Sequence, residues 1–363
     1  MKRITLWAVA AVTAAALLFP VGAEAVSARS CILLDAQTGR VLYARSADKR
    51  SLIASTTKIM MALVVCQQCN VLSRVRIPAE AVGVEGSSMY LREGEILTVQ
   101  ELLYGLMLHS GNDAALALAI YCGGTVEGFV GLMNDKARQL GLQNTHFANP
   151  HGLDAPDHYS TAEDLALLAA CAMEDPVFAM TVSTKQVTVG ERYLRNHNKL
   201  LWRVEGADGV KTGYTKAAGR ILVSSAVRKG RRLICVTIDA ADDWNDHAAL
   251  LAQGFSRYTL QTVVQAGQCL GTVQVAGGTQ WEVQLIAAED FAYPLEQGEG
   301  ITVELPGAGF VYAPVREGAH AGQAHMFLGD RCVGKVPLVY GQTVERTPDR
   351  KPSIYERLLE LFS

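Results

Sequence analysis

The feature that most limits how this chain can fold is a run with no polar face. Residues 59–65, Ile-Met-Met-Ala-Leu-Val-Val, are apolar without exception. A helix that is apolar all round is stable only when other elements cover every side of it. The run therefore predicts a buried central helix with the rest of the fold packed around it. Just ahead of it stands Ser55-Thr56-Thr57-Lys58. Side chains three residues apart on a helix share one face, so a hydroxyl and an amine meet at the start of a core helix. Burial disfavours the ammonium form of lysine and lowers its pKa. A neutral amine beside a hydroxyl is a general base able to turn that serine into a nucleophile. A second Ser-x-x-Lys, Ser46-Ala47-Asp48-Lys49, sits beside Arg45 and Arg50 with no apolar run behind it and reads as a solvated loop.

The chain has 363 residues, enough for two domains, and its 49% hydrophobic and 19% charged residues are those of a folded globular protein. A net charge of −3 with interspersed signs gives no reason to expect nucleic-acid binding. Residues 1–25 read as an export signal. Lys2 and Arg3 precede an apolar run over residues 4–19, and Ala23-Glu24-Ala25 is a small-x-small cleavage site. An uncleaved N-terminal anchor is the alternative, and either one puts the working part outside the cytoplasm. Eight cysteines, at 31, 66, 69, 122, 171, 235, 269 and 332, permit disulfides in an exported chain. Most of them lie in apolar runs and read as core residues. Cys66 and Cys69 have the spacing of a redox or zinc motif but no second pair, so no metal is expected there. His146, His151 and His158 lie in one loop without a helical His pair, and are read as loop hydrogen-bonding groups rather than ligands.

Along the chain, a hairpin is expected over residues 31–45, around the turn Asp35-Ala-Gln-Thr-Gly39. Thr98-Val-Gln-Glu101 is a capping box opening a helix that breaks at Ser110-Gly111-Asn112. A further helix follows, capped by Asn112 or Asp113, then one from about 125 to 140 stopped by Gly141. Ser160 with Glu163 reads as a second capping box. From Gln186 the period shifts to strands, with a Lys229-Gly230 turn between two of them, and residues 246–258 read as a last helix over the sheet. The predicted architecture over residues 26–258 is α+β: an antiparallel sheet, which the first hairpin joins, plus a helical lobe. Residues 259–350 carry short alternating runs split by Gly and Pro, the pattern of a small all-β domain of sandwich or barrel type. In the tail, 351–363, Ile354, Leu358, Leu361 and Phe362 share one helical face opposite Glu356, Arg357 and Glu360. That pattern suits a membrane-surface helix, a packing helix or a frayed end.

Three short elements now stand in order: Ser55-x-x-Lys58, Ser110-Gly-Asn112 and Lys211-Thr212-Gly213. Each alone is weak, but the ordered triple is the pattern of serine β-lactamases and penicillin-binding proteins. With their flanks, and with Phe147-Ala-Asn-Pro-His-Gly-Leu, Tyr159-Ser-Thr-Ala-Glu-Asp-Leu and Asp208-Gly-Val-Lys-Thr-Gly-Tyr-Thr, the chain resembles the D-alanyl-D-alanine carboxypeptidases, the low-molecular-mass penicillin-binding proteins of the peptidase S11 type, over residues 30–258. The resemblance implies a transpeptidase-type fold shared with serine β-lactamases. It also implies removal of the terminal D-alanine from peptidoglycan stem pentapeptides through an acyl-enzyme, with β-lactams as inhibitors and no cofactor. Ser55 would then be the nucleophile, Lys58 its base, and Ser110 the proton donor to the leaving amine. Asn112 would hold the substrate amide or Lys58. Lys211, Thr212 and Gly213 would bind the substrate, and the backbone N–H groups of Ser55 and Tyr214 would form an oxyanion hole.

One departure stands out. Where some members carry a carboxylate-binding arginine ahead of the last helix, this chain has Asp242-Asp-Trp-Asn-Asp-His247. Lys211, Thr212, Arg195 and Arg220 are what the sequence offers instead. A serine β-lactamase also needs a water-positioning Glu, and no Glu-x-x-Leu-Asn occurs between Asn112 and Lys211. A D,D-endopeptidase and a catalytically silent wall-binding scaffold are the other readings the sequence allows.

Overall fold

The computed structural model describes residues 26–348 apart from Pro306 and Ala308. The expected export signal and the amphipathic tail lie outside the described residues. The opening hairpin, β1 (Ser30–Asp35) and β2 (Val41–Arg45), leads to a single 3₁₀ turn, Ala54–Thr57, and then to α1 (Lys58–Gln68). Every residue of α1 from Lys58 to Val65 is buried, as its all-apolar face requires. A two-stranded ribbon, β3 (Arg74–Arg76) and β4 (Ile96–Thr98), precedes α2 (Val99–Leu108), α3 (Asn112–Gly123) and α4 (Val126–Gln139). Then come α5 (Ala162–Ala172), α6 (Pro176–Ser183), the ribbon β5 (Gln186–Val189) and β6 (Arg192–Arg195), and the short α7 (Leu200–Arg203). Strands β7 (Ala207–Thr215), β8 (Gly219–Arg228) and β9 (Arg231–Ile238) and helix α8 (Asp243–Arg257) follow.

The first hairpin does join the later strands. The five-stranded sheet runs β2-β1-β9-β8-β7, antiparallel throughout, with Ile32 opposite Val236 and Lys211 opposite Val223. Its two faces differ. Ile32, Leu34, Val223, Ile234 and Val236 join the large core built around α1, while Leu33, Ala226, Leu233 and Cys235 pack under α8 through Leu250 and Leu251. This is the period-2 alternation of strands buried on both sides. Strand β7 is a sheet edge, so one row of its backbone groups is left for another partner.

Among the described residues, every regular element from Tyr258 onward is a strand. β10 (Tyr258–Val264) pairs with β13 (Phe291–Glu296). β11 (Cys269–Ala276), β12 (Glu282–Ala287), β14 (Ile301–Glu304), β15 (Phe310–Tyr312), β16 (His320–Leu328) and β17 (Arg331–Tyr340) form a sheet in the order β14-β16-β17-β12-β11-β15. Arg40, in the first turn of the chain, reaches this part. Its guanidinium donates to Pro294 O and to Glu299, 2.6 Å away, and lies over the rings of Tyr258 and Tyr293.

Several local expectations are corrected. The cap of α5 is Thr161, which accepts from Asp164 N, while Ser160 is turned to Thr145 and the Glu163 backbone N–H donates to Ala47 O. Neither Asn112 nor Asp113 caps α3. Gly111 is the cap position, because both side chains are engaged elsewhere. The last helix begins at Asp243 and ends at Arg257 rather than spanning 246–258. Cys69 pairs with Cys122, tying the end of α1 to the end of α3, and Cys269 and Cys332 are exposed rather than core residues. The predicted capping box at Thr98 and Glu101 is present on both of its arms.

Candidate active site

Ser55 does not sit on an α-helix but in the 3₁₀ turn that leads into α1. The spacing works even better there, because in a 3₁₀ turn residues i and i+3 eclipse. Lys58 Nζ lies 3.1 Å from Ser55 Oγ, 2.7 Å from Asn112 Oδ1 and 2.7 Å from the His151 carbonyl oxygen. Asn112 is held in that orientation by its own Nδ2, which donates to Glu85 O at 2.6 Å. Lys58 is 0% exposed. Burial first, and the nearby charge of Lys211 second, push its pKa well below the ordinary lysine value, against a weaker opposing pull from Asp113. A neutral amine has two N–H donors and one lone pair. The two acceptors, Asn112 Oδ1 and His151 O, take the donors, and the lone pair is left for the Ser55 hydroxyl proton. The local backbone is strained at both serines: Ala54, just before Ser55, has φ 45°, and Ser110 has φ 61°.

Two loops complete the pocket around this pair. Asp113, buried at the start of α3, accepts from Met89 N, Leu91 N and Ser88 Oγ. That carboxylate pins the 88–91 segment, and Ser87 O accepts from Asn112 N at 2.7 Å. On the other side, the 144–153 loop docks on the Ser55 turn. Gly152, at φ 92°, passes so close that a Cβ there would lie 1.9 Å from Ala54 O, which is why only glycine fits. Of the three loop histidines, His151 contributes its carbonyl to Lys58, His158 contacts Thr57 Oγ1 at 2.6 Å, and His146 meets the Asp157 carbonyl. Burial holds the His158 pKa down to about 4, so it is neutral.

Edge strand β7 forms the third wall. Gly213 lets it approach: a Cβ there would be 3.3 Å from Ser55 N and from Ile53 O. Lys211 is 1% exposed, its Nζ donates to Thr212 O at 2.9 Å, and burial lowers its pKa to about 7. The two lysines repel one another in a desolvated space. A charge on Lys211 thus disfavours a second one on Lys58. Ser55, Ser110, Thr212, Gly213 and Tyr214 line one cleft of about 670 Å³. Lys58, Asn112 and Lys211 stand behind its wall. Tyr214 is 66% exposed at the mouth.

Sequence reasoning missed much of the rest of that lining. Ser87, His197, Lys199, Asp243 and Trp244 all face the cleft. Ser87, His197 and Lys199 belong to no short motif, Asp243 and Trp244 stand in the Asp242–His247 stretch noted only for its missing arginine, and the topology brings them together. The two candidate arginines separate. Arg220 lines the cleft, donates to Asp243 Oδ1 at 2.6 Å and lies over the Trp244 ring. Arg195 lies outside it, stacked on Trp202 in an adjoining cavity.

Comparison with known proteins agrees with this architecture. The D-alanyl-D-alanine carboxypeptidase profile of peptidase S11 matches residues 18–242, and that of the penicillin-binding protein 5 C-terminal domain matches residues 258–346. The chain is 36% identical to the D-alanyl-D-alanine carboxypeptidase DacC of Escherichia coli (strain K12), over 90% of this chain and 86% of the relative. It is 33% identical to DacF of Bacillus subtilis (strain 168), also a D-alanyl-D-alanine carboxypeptidase, over 81% of this chain and 80% of the relative. The crystal structure of penicillin binding protein 5 from Haemophilus influenzae superposes with a TM-score of 0.76 at 30% identity, covering 88% of this chain and 98% of that one. The S11 profile spans more than half of the sequence, and it closes on the same fold and cleft: the chain belongs to the D-alanyl-D-alanine carboxypeptidase family, peptidase S11.

Proposed function

We propose that the protein is a serine-type D-Ala-D-Ala carboxypeptidase that removes the terminal D-alanine of peptidoglycan stem pentapeptides. The observation that carries this reading is the Lys58 amine, buried and depressed in pKa, 3.1 Å from Ser55 Oγ with its other two partners already filled. Ser55 Oγ attacks the carbonyl between the two D-alanines as its proton passes to Lys58. The backbone N–H groups of Ser55 and Tyr214 bind the developing oxyanion. Ser110 relays a proton to the departing amine, D-alanine leaves, and water then hydrolyses the Ser55 ester. Lys211 supplies positive potential, while Thr212 hydrogen-bonds the terminal carboxylate and Gly213 lets strand and substrate lie close. β-Lactams, whose strained amide mimics the scissile bond, acylate Ser55 by the same route. The step uses side chains and backbone only.

We place the work outside the cytoplasm, at the membrane or cell wall. Residues 1–25 act as the export signal, 26–258 as the peptidase domain and 259–350 as the β-rich domain, while the 351–363 tail adds membrane-surface contact. The Cys69–Cys122 disulfide suits such an oxidising compartment. The test is D-alanine release, followed by mass spectrometry, from a pentapeptide ending in D-Ala-D-Ala, with the Ser55→Ala variant alongside. Release by the parent alone is expected, together with labelled penicillin on Ser55. Labelling without release favours the endopeptidase reading. Neither release nor labelling leaves the wall-binding scaffold.

A further inference from the structure

Beside the catalytic cleft lies a second cavity of about 600 Å³, and the two share His197 and Lys199. Its lining includes Arg195, Lys199, Arg203, Tyr193 and Trp202, and no acidic residue. Lys185 and Arg195 both lie over the Trp202 ring, at 5.9 and 5.1 Å. Among the described residues none of these four cations is in an ion pair, whereas other arginines of the molecule are paired to carboxylates. Three cationic side chains lining this cavity, with Lys185 over the same indole as Arg195, form a local positive field that favours an anionic ligand.

The segment that presents them is built rather than loose. Along residues 195–199, exposed Arg195, His197 and Lys199 alternate with buried Asn196 and Asn198. Asn196 Nδ2 donates to Val182 O and Thr184 O, and Asn198 Nδ2 donates to Gly209 O. Each inward asparagine thus anchors the backbone while its neighbours project outward, and the aromatic face of Trp202 orders the Arg195 guanidinium. Less side-chain freedom remains to be lost when a ligand binds.

We infer that this cavity is a subsite for the carboxylate-bearing part of the substrate upstream of the scissile bond. The inference rests on the carboxypeptidase reading. An exopeptidase substrate ends one residue beyond the attacked carbonyl, so a cavity that borders the cleft across His197 and Lys199 has only the upstream peptide to receive. Stem peptides carry free carboxylates there, and a guanidinium fork matches a carboxylate in shape and charge.

The test uses the full chain and two substrates with the same D-Ala-D-Ala end. One is a stem pentapeptide with its upstream carboxylates, the other a diacetylated Lys-D-Ala-D-Ala with none. In the Arg195→Gln/Arg203→Gln variant, kcat/KM for the acidic substrate is expected to fall about tenfold, with the neutral one within about twofold of the parent. Raising salt from about 50 to about 500 mM narrows the parent's preference for the acidic substrate and leaves the variant's unchanged. An equal loss on both substrates, or no loss on either, overturns the subsite. If the parent cleaves neither peptide, it is the carboxypeptidase reading that fails. Calorimetric titration with the acidic tetrapeptide, which needs no turnover, then decides the subsite: binding weakened in the variant supports it, and equal binding overturns it.

Discussion

Up to His247, lysine, histidine, asparagine and aspartate side chains are buried among the apolar ones; from Tyr258 onward the described side chains that are buried are apolar or aromatic. The two regions solve different problems. In the strands, cores such as Val264, Ala324, Met326, Val336 and Leu338 need only exclude water. In the first region, each buried polar group is costly unless bonded, and one set of these bonds gathers around Ser55: Lys58 to Asn112 and His151, Asp113 to the 88–91 segment, His158 to Thr57. Polar burial around Ser55 serves the site, while elsewhere in this region, as at His247 between Ser224 and Thr237, it serves the scaffold.

The sharpest way to break that contrast is to damage each core once. Lys58→Met removes the base, and D-alanine release and penicillin acylation should each fall about 10³-fold. Met326→Ala, at a fully buried strand position, should cost about 2–5 kcal/mol in denaturant unfolding and leave kcat/KM unchanged. A Met326→Ala enzyme that is well folded yet inactive would show that the strands take part in the reaction.

Glycines separate the regions on a smaller scale. Gly152→Ala puts a Cβ against Ala54 O, moves the His151 carbonyl off Lys58, and should slow penicillin acylation about 100-fold, the usual cost of a misplaced catalytic group. Gly329, at φ 58° with open space around it, should tolerate alanine for about 1 kcal/mol of stability and full activity. Parity between the two variants in acylation rate would mean the loop does not position the base.

The same contrast explains what could be read in advance. The all-apolar run after Lys58 announced a buried helix, Thr98 with Glu101 announced a cap, and the strand-like runs on either side of Lys229-Gly230 announced β8 and β9, because each signal lies within a few residues. The cap of α5 came out one residue along because Thr161 and Ser160 are chemically equivalent candidates, and only the tertiary bonds of Ser160 to Thr145 and of the Glu163 N–H to Ala47 decide between them. Arg220 with Asp243, and the His197–Lys199 seam between two cavities, depend on strands and helices far apart in sequence. The loop histidines read as hydrogen-bonding groups, as the rings of His158 and His146 are, but it is the His151 carbonyl that reaches Lys58. A backbone carbonyl acting on Lys58 has no residue type to betray it.

The charge state of the buried lysines gives a further test. Penicillin acylation should rise with pH as Lys58 loses its proton and fall above about 7 as Lys211 loses its own, giving a bell. Lys211→Arg keeps the charge to far higher pH, so the alkaline limb should disappear. An alkaline limb that stays in place in the variant would assign it to another group.

The smallest effect is on stability in acid, and it belongs to the first region. His247 is wholly buried between Ser224 Oγ and Thr237 Oγ1, and burial lowers its pKa to about 3 from an ordinary 6.5. Because the folded value is the lower one, the unfolded chain takes up the proton first. The stability linked to His247 is intact above pH 6.5 and drains away as pH falls towards about 3. His158, with its pKa at about 4, acts in the same direction. Unfolding monitored between pH 7.5 and 4 should therefore show a loss that His247→Asn partly flattens, at the cost of lower stability at neutral pH, where the Ser224 and Thr237 hydroxyls lose a well-fitted partner. An unchanged slope in the variant would move the acid sensitivity away from α8 and onto His158 and the carboxylates.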